Sequence, residues 1–184
     1  GGEGTDWNVV QNWSGTYGGK LEDYAKELSR SDQLLNGEYG AWRTLGNHSG
    51  ERYTEEKQCD ILERKVQLAE LARDSVCGQF QWILQSHDNP GRRQPEEGFR
   101  LIDKVGPFNH KGIISAWEQP GDAFYMYTTH YVEADKDPLV YIVPGIHADT
   151  VDADGAKIVM ADSIRVYSNC DRVTLSCGSW SKTM

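Results

Sequence analysis

Apolar positions in the first two thirds of the chain alternate between a strand pattern and a helix pattern. Short apolar runs predict three strands, at residues 6–13, 34–38 and 76–84. Spacing of i, i+3, i+4 and i+7 predicts a helix whose inner face carries Leu21, Tyr24, Ala25 and Leu28. A longer helix is predicted over residues 53–74. This order is typical of a parallel α/β sheet or barrel.

The second helix is marked by its start and by its apolar stripe. Thr54 is a suitable N-cap, and Glu55 and Glu56 suit the positive first turn. The buried stripe is predicted to consist of Cys59, Leu62, Val66 and Ala69. A last helix is predicted to begin at Pro120, because proline is tolerated at the first helical position, and to carry Phe124, Tyr127 and Tyr131 along one side.

The pattern changes after "VEADKDP". The runs "LVYIVPG" and "DSIRVYSNCDRVTLSCG" are short, alternating and rich in β-branched residues, and a turn-rich segment, "DTVDADGAK", separates them. This pattern predicts antiparallel β-structure. We therefore expect a domain boundary near residues 135–138, with one domain over residues 1–134 and another over residues 138–184.

Composition and charge exclude some classes of protein. The formal net charge of −9 argues against nucleic-acid binding, which requires a basic surface. The 19 basic residues are scattered, so the sequence offers no polybasic patch for a membrane surface. No apolar run approaches the roughly 20 residues that span a bilayer. The chain has six Trp and nine Tyr against four Phe, and rings with a polar tip suit sugar faces as well as other interfaces.

The cysteines and acidic turns give no sign of a metal or a cofactor. Cys59, Cys77, Cys170 and Cys177 lack the spacing of a zinc site, and "DADG" lacks the oxygen ligands of a calcium loop. Cys59 and Cys77 are expected to be buried free thiols. A disulfide between Cys170 and Cys177 across a hairpin is an open alternative.

Candidate chemistry is concentrated in the residues that end or follow the three strands. In a parallel barrel these segments share one face, where sites are built. They supply one carboxylate with several aromatic and polar neighbours: Trp13, Tyr17, Glu38, Tyr39, Trp42, Trp82, His87 and Asp88. A carboxylate among aromatic platforms suits a glycosidase. The alternative, about equally favoured by the pattern alone, is that Glu38 pairs with Arg43 or with a helix N-terminus.

Several segments resemble glycoside hydrolase family 2, the β-galactosidases and β-glucuronidases. "GEYGAWRTLGNHS…YTEEKQC" is similar to the family's nucleophile segment at barrel strand seven. "QNWSGTYGG" resembles its strand-six loop, and "VCGQFQWILQSHDNPGRR" resembles strand eight. "FNHKGIISAWEQPGDAFYMYTTHYV" resembles the closing loop and eighth helix, and "PLVYIVPG…DSIRVYSNCDRVTL" resembles the start of the following immunoglobulin-like domain.

The resemblance implies an α/β fold: strands six to eight of a (β/α)8 TIM barrel, followed by part of an immunoglobulin-like β-sandwich. It also implies a retaining exo-β-glycosidase with Glu38 as the catalytic nucleophile. Glu38 is expected to stay ionised, a state that a neighbouring donor such as the Trp13 indole or the Tyr17 hydroxyl favours by hydrogen bonding. The family usually has a tyrosine at the position of Trp13, and tryptophan donates a hydrogen bond but accepts none.

The resemblance further implies substrate contacts for Trp13, Tyr17, Trp42, Trp82, Asn109 and Lys111. Trp82 matches a tryptophan that lines the sugar pocket, and a core position is its alternative. Asn109 and Lys111 match a pair that holds the substrate carboxylate in β-glucuronidases, although β-galactosidases often carry a similar motif. His48 also matches, but a role in capping a backbone group is favoured. We expect a β-galactosidase, with a β-glucuronidase as the alternative.

The resemblance begins at barrel strand six, whereas the family's acid/base glutamate lies on strand four. We therefore expect this chain to be part of a longer enzyme and to be inactive in isolation, with a carbohydrate substrate and the remaining N-terminal part as its partners. A non-catalytic carbohydrate-binding fragment is a further alternative. No cofactor is expected. Only the resemblance suggests a location, which would be periplasmic or secreted.

Overall fold

The computed structural model describes residues 4, 6–16, 18–42, 54–88, 108–144, 148–152, 155–158 and 164–184. For residues 108–109, 148–152 and 155–158 the backbone alone is described. The chain forms two compact units, Gly1–Gly121 and Asp122–Met184. None of the described helices is long and apolar enough to cross a membrane.

The first unit is built on a parallel sheet of three strands. The elements up to residue 121 are β1 (Asn8–Gln11), α1 (Leu21–Leu28), β2 (Leu34–Tyr39), α2 (Glu55–Leu71), β3 (Val76–Gln81), β4 (His87–Asp88) and β5 (Phe108–Asn109). The sheet order is β1-β2-β3, and both neighbouring pairs are parallel. This confirms the predicted alternation of strand and helix. The short antiparallel pair β4–β5 lies in a segment whose sequence predicts only a polar loop.

The two helices begin and pack as their local sequence dictates. The Asp23 carboxylate accepts a hydrogen bond from the Lys20 backbone N–H at 2.9 Å, at the start of α1. The Thr54 hydroxyl accepts one from the Lys57 N–H at 3.0 Å, which confirms its predicted N-cap. In the predicted stripe of α2, Cys59, Leu62 and Val66 are fully buried, whereas Ala69 is half-buried.

Buried polar groups join α1 to the sheet. The Tyr24 hydroxyl accepts a hydrogen bond from the Asn36 amide at 2.8 Å and donates one to the Gln79 side-chain oxygen at 2.6 Å. The Asn12 amide donates to the Tyr24 carbonyl at 3.0 Å. Tyr24, Asn36 and Asn12 are almost completely buried, so these bonds compensate for the loss of water. They fix α1 against residues on or next to all three strands.

The second unit contains one helix and antiparallel strand pairs. Its elements are α3 (Asp122–Tyr131), β6 (Val140–Ile142), β7 (Ala148–Asp152), β8 (Gly155–Ile158), β9 (Val166–Ser168), β10 (Thr174–Cys177) and β11 (Trp180–Thr183). The pairs are β6–β9, β7–β8 and β10–β11, all antiparallel, as the alternation predicts. The strands β7 and β8 occupy the segment predicted to be rich in turns.

The α3 helix differs from its prediction in detail. It begins at Asp122 rather than at Pro120, and its buried residues are Asp122, Ala123 and Met126. Tyr131 is exposed, and its ring stacks on that of Tyr127. The helix belongs to the same compact unit as the strands that follow it, whereas the boundary predicted from sequence falls after the helix. The assignment of the two parts to a barrel and an immunoglobulin-like domain stays a prediction.

The cysteines are free thiols. Cys59 is buried, as predicted, but Cys77 is exposed, so the expectation of a buried thiol is wrong there. The Cys77 thiol faces the Leu34 carbonyl, with 3.2 Å between Sγ and O. Cys170 and Cys177 form no disulfide, although Cys177 lies on the β10–β11 hairpin.

Candidate active site

Glu38 is the penultimate residue of β2, near the end at which parallel strands bring their side chains to one edge of the sheet. Its Oε1 accepts a hydrogen bond from the Trp13 indole Nε1–H at 2.9 Å. Its Oε2 accepts one from the Gln11 side-chain amide at 3.2 Å. The backbone carbonyl of Glu38 accepts from the Asn12 N–H at 2.8 Å. The end of β1 therefore fixes both the main chain and the carboxylate of Glu38.

The Trp13 ring packs against Gly40, which follows Glu38 closely in the chain. A Cβ on Gly40 would approach Trp13 Cη2 to 2.8 Å and would also collide with the Trp82 carbonyl oxygen. Glycine is therefore required here for close packing rather than for backbone conformation. The glycine thus lets the backbone that follows β2 lie close to the Trp13 ring.

Two lysine ammonium groups lie near the same indole ring. The Lys111 Nζ is 5.7 Å from the ring centroid of Trp13, and the Lys65 Nζ is 5.9 Å from it. Both side chains are buried, Lys65 completely. Burial lowers the pKa of Lys65 from 10.5 to about 7, because an ammonium group is poorly solvated in the protein interior. Burial thus disfavours the charged form of the Lys65 amine beside Trp13.

The backbone of Lys111 is held by hydrogen bonds to residues at and just after the end of β3. Its carbonyl accepts hydrogen bonds from the Ile83 N–H and from the Gln81 side-chain amide, both at 3.3 Å. Further along, the Ile113 N–H donates to the Ile83 carbonyl and the Ile114 N–H donates to the Leu84 carbonyl. The last bond runs from the Ser86 N–H to the Ile114 carbonyl. We call this pairing of residues 111–114 with residues 83–86 the Lys111 ladder. It carries Lys111 to the end of β3.

Gly112 makes this close approach feasible. Its N–H donates to the Ser86 hydroxyl at 3.1 Å. A Cβ at this position would lie 2.6 Å from Ser86 Oγ and would collide with the Ser86 nitrogen and the Ile114 carbonyl oxygen. The glycine is therefore part of what positions Lys111.

The predicted tryptophans Trp82 and Trp42 lie on the segments that leave β3 and β2. The Trp82 N–H donates to the Tyr39 carbonyl at 2.6 Å, its side chain is 38% exposed, and its peptide bond to Ile83 is cis. Trp42 follows the buried Ala41 and is half-buried. The backbone of Trp82 therefore contacts Tyr39, the residue after Glu38, and Trp42 follows Glu38 closely in sequence.

Of the other predicted residues that the structure describes with side chains, one is buried in the core and two are exposed. Tyr39 is only 2% exposed and packs against the Tyr24 ring at 6.3 Å, so it is a core residue and not part of a cleft wall. His87 and Asp88 are exposed, and the His87 ring contacts the Asp88 carbonyl. Tyr17, Arg43 and His48 lie outside the described residues. For Asn109 only the backbone is described, in β5, paired with His87.

Sequence analysis missed three residues that shape the site: Gln11, Thr16 and Lys65. Gln11 donates to the carboxylate, and Thr16 donates to the Gly40 carbonyl at 2.6 Å. Lys65 carries a detectable signal, because it stands between Leu62 and Val66 on the buried stripe of α2. A lysine on an apolar face is a buried charge or amine that needs an explanation. Gln11 and Thr16 carry no such signal.

Among the described residues, no group of three or more His, Cys, Asp and Glu side chains is arranged to hold a metal ion. The described chemistry at this edge is instead one carboxylate held by two donors, buried amines and a partly exposed indole. Such a set can bind a polar ring-shaped substrate and present a carboxylate oxygen to it.

Comparison with known proteins points to one group of enzymes. No protein-family model matches the chain. A protein of Formosa agariphila, provisionally named a β-glucuronidase, is 27% identical over 187 residues, which is 89% of this chain and 22% of that protein. A structure of Bacteroides uniformis β-glucuronidase 2, covalently bound to cyclophellitol-6-carboxylate aziridine, superposes with a TM-score of 0.69 at 20% identity over 98% of this chain.

A structure of Parabacteroides merdae β-glucuronidase gives a TM-score of 0.66 at 21% identity, over 92% of this chain and 21% of that one. The chain has the fold of part of a β-glucuronidase. It spans about a fifth of the length of the relatives that it matches: 22% of the Formosa protein, and 22% and 21% of the two β-glucuronidase structures.

Proposed function

We propose that this chain is the nucleophile-bearing part of a retaining exo-β-glucuronidase of glycoside hydrolase family 2, with Glu38 as the nucleophile. The sequence alone leads first to a β-galactosidase and gives a β-glucuronidase as the alternative. The names of the similar proteins favour the alternative. The strand order β1-β2-β3 supports the assignment of these strands as six to eight of a (β/α)8 barrel.

The observation that carries the proposal is the cluster of Glu38, Trp13 and Lys111. The indole N–H holds one carboxylate oxygen at 2.9 Å, and the Lys111 ammonium lies 5.7 Å from the centroid of the same indole. A glucuronide brings a carboxylate of its own, for which a buried ammonium is a suitable partner.

The proposed reaction begins when a Glu38 oxygen attacks the anomeric carbon. The glycosidic C–O bond breaks, and the leaving oxygen takes a proton from a second carboxylic acid about 5–5.5 Å from Glu38. A glycosyl ester on Glu38 results. Water then attacks the same carbon and gives its proton to the second carboxylate, which releases the sugar and restores Glu38. The family resemblance assigns the second carboxylate to a strand upstream of this chain.

The neighbours of Glu38 receive roles in this reaction. Trp13 and Gln11 orient the carboxylate through their hydrogen bonds, so that one oxygen can attack without prior reorganisation. Trp82, Trp42 and Tyr17 are proposed to line the sugar pocket. Asn109 is proposed to supply an amide that binds the sugar carboxylate together with Lys111.

The proposal is tested in the longest natural protein that contains this chain. We expect that protein to hydrolyse 4-nitrophenyl β-glucuronide in preference to the β-galactoside. The Glu38→Gln variant should fall to the background of the assay, because an amide cannot form the glycosyl ester. Glu22→Gln, a change on the exposed face of α1, is the matched control and should leave turnover unchanged.

A covalent label identifies the nucleophile directly. Cyclophellitol-6-carboxylate aziridine, the compound bound in the Bacteroides uniformis structure, is incubated with the protein, and the modified peptide is located by mass spectrometry. The expected adduct is on Glu38. An adduct on another carboxylate, or full turnover by Glu38→Gln, would remove the nucleophile assignment. Absence of any adduct and any turnover would instead favour a carbohydrate-binding role.

A further inference from the structure

Lys65 is a fully buried lysine that the proposed reaction does not use. Its Nζ donates hydrogen bonds to the Thr16 hydroxyl oxygen at 2.6 Å and to the Gly40 carbonyl at 3.2 Å. Thr16 in turn donates to the same Gly40 carbonyl at 2.6 Å. A single amine thereby ties α2 to the segments that follow β1 and β2.

The same amine lies beside the indole that holds Glu38. Its Nζ is 5.9 Å from the ring centroid of Trp13 and 5.0 Å from that of Tyr24. A cation near the face of an indole is attracted by the π electrons, most strongly where water is excluded. Gly40, whose carbonyl Lys65 holds, also packs against the Trp13 ring. Lys65 thus lies near Trp13 and also holds the backbone against which that ring packs.

We propose that Lys65 is a positioning residue for the nucleophile: it fixes the Trp13 indole through Thr16 and Gly40, and its charge strengthens the hydrogen bond that Trp13 donates to Glu38. The ammonium withdraws electron density from the ring, and this makes the indole N–H a stronger donor. The proposal rests on the proposed role of Glu38 as nucleophile. It assigns no contact between Lys65 and substrate.

The effect depends on pH around neutrality. With a pKa of about 7, Lys65 is charged in acid and a neutral amine in alkali, so the polarisation of Trp13 is present below pH 7 and lost above it. The titratable or charged groups that the described elements bring to this cluster are Lys111, Glu38 and Tyr24. A comparison that keeps these groups constant is therefore required.

Labelling kinetics give that comparison. The rate of Glu38 labelling by cyclophellitol-6-carboxylate aziridine is measured across the pH range in the longest protein that contains the chain, for the wild type and for Lys65→Met. Their ratio cancels the ionisations that the two share. We expect the wild type to be about 3- to 30-fold faster below pH 7 and the ratio to fall above it. Lys57→Met, an exposed lysine on the same helix, is the matched control.

A spectroscopic measurement tests the same contact without activity. The protein is labelled with 5-fluorotryptophan, and Trp13→Phe identifies the Trp13 resonance. We expect that resonance to titrate with a midpoint near pH 7 in the wild type and to lose this titration in Lys65→Met. Lys111→Gln should retain it. Where Lys65→Met folds poorly, a titration retained in Lys111→Gln still excludes Lys111 as its source, and a wild-type resonance that does not titrate still contradicts the proposal.

The outcomes separate the two proposals. If the aziridine labels a residue other than Glu38, the proposed nucleophile fails, while the fluorine titration still decides whether Lys65 acts on Trp13. If Glu38 is labelled and the rate ratio is close to one at every pH, the positioning role of Lys65 is overturned. A Trp13 resonance that does not titrate in the wild type overturns it as well.

Discussion

The Glu38 carboxylate accepts hydrogen bonds from Gln11, the last residue of β1, and from Trp13, which follows that strand. The direction of the carboxylate is therefore set by the neighbouring strand as well as by β2. The alternative interpretation, an ion pair with Arg43, falls on a residue outside the described part of the chain. Within the described part, the contacts of Glu38 are those expected of an oriented carboxylate.

Lys111 provides a test of which sugar is bound. In Lys111→Gln we expect kcat/KM for 4-nitrophenyl β-glucuronide to fall about 10- to 100-fold, because hydrogen bonds to charged groups contribute about 1.5–3 kcal/mol. The corresponding β-glucoside, which lacks the carboxylate, should lose little. Lys26→Gln, at an exposed position of α1, serves as control. Equal losses on both substrates would show that Lys111 acts on Trp13 and Glu38 rather than on the sugar carboxylate.

The sequence predicts part of this arrangement. The hydrogen bond from Trp13 to Glu38 is expected from the resemblance, and the structure contains it. The role of Tyr39 is predicted wrongly, because a strand-end position in sequence does not show which side of the sheet its ring occupies. Lys65 reaches Thr16 across a large sequence separation, and no local pattern reveals such a contact.

Local sequence signals predict the positions of the helices and strands better than they predict which distant segments pair. The sequence predicts a helix over residues 53–74, and the observed α2 is Glu55–Leu71, because its N-cap and apolar stripe are local features. The sequence also predicts a strand through residue 84, but β3 ends at Gln81. Residues 83–86 instead pair with residues 111–114, which a long polar segment separates from them in sequence.

The Lys111 ladder can be tested through Gly112. In Gly112→Ala, the added methyl group collides with Ser86, so we expect a loss of stability of about 1–3 kcal/mol and a lower thermal midpoint. Turnover of the glucuronide should fall as well, since Lys111 is displaced. Gly78→Ala on β3 is the control, because its Cβ would meet only Leu35 Cδ1 at an ordinary 3.7 Å. Equal stability and activity in the two variants would contradict the role of the ladder.

For the chain as a whole, the fold class is accessible from sequence but the domain assignment depends on the resemblance. The parallel order β1-β2-β3 follows from the strand–helix alternation, and the antiparallel pairs of the second unit follow from period-two patterns. Neither pattern indicates how many further strands complete the first sheet. The barrel and the immunoglobulin-like domain therefore remain predictions.

The isolated chain is expected to associate and to be inactive. Val9 and Phe80 on the parallel sheet are 49% and 62% exposed, and exposed apolar strands at open sheet edges favour aggregation. Size-exclusion chromatography with light scattering should show oligomers, and Phe80→Thr should increase the monomer fraction. Trp117→Thr, at an exposed position away from the strands, should have less effect. A monomer with a sharp thermal transition and full glucuronidase turnover would contradict both the association and the proposed missing acid/base residue.

The Lys111 ladder also bears on how much the length of the chain between Asp88 and Phe108 can vary. The pairing of residues 83–86 with residues 111–114, together with the β4–β5 pair, holds Asp88 and Phe108 close to each other. Lengthening a clamped segment costs little free energy, because loop-closure entropy grows only with the logarithm of length. The length of the chain between Asp88 and Phe108 can therefore change at little cost, while the ladder keeps Lys111 in place.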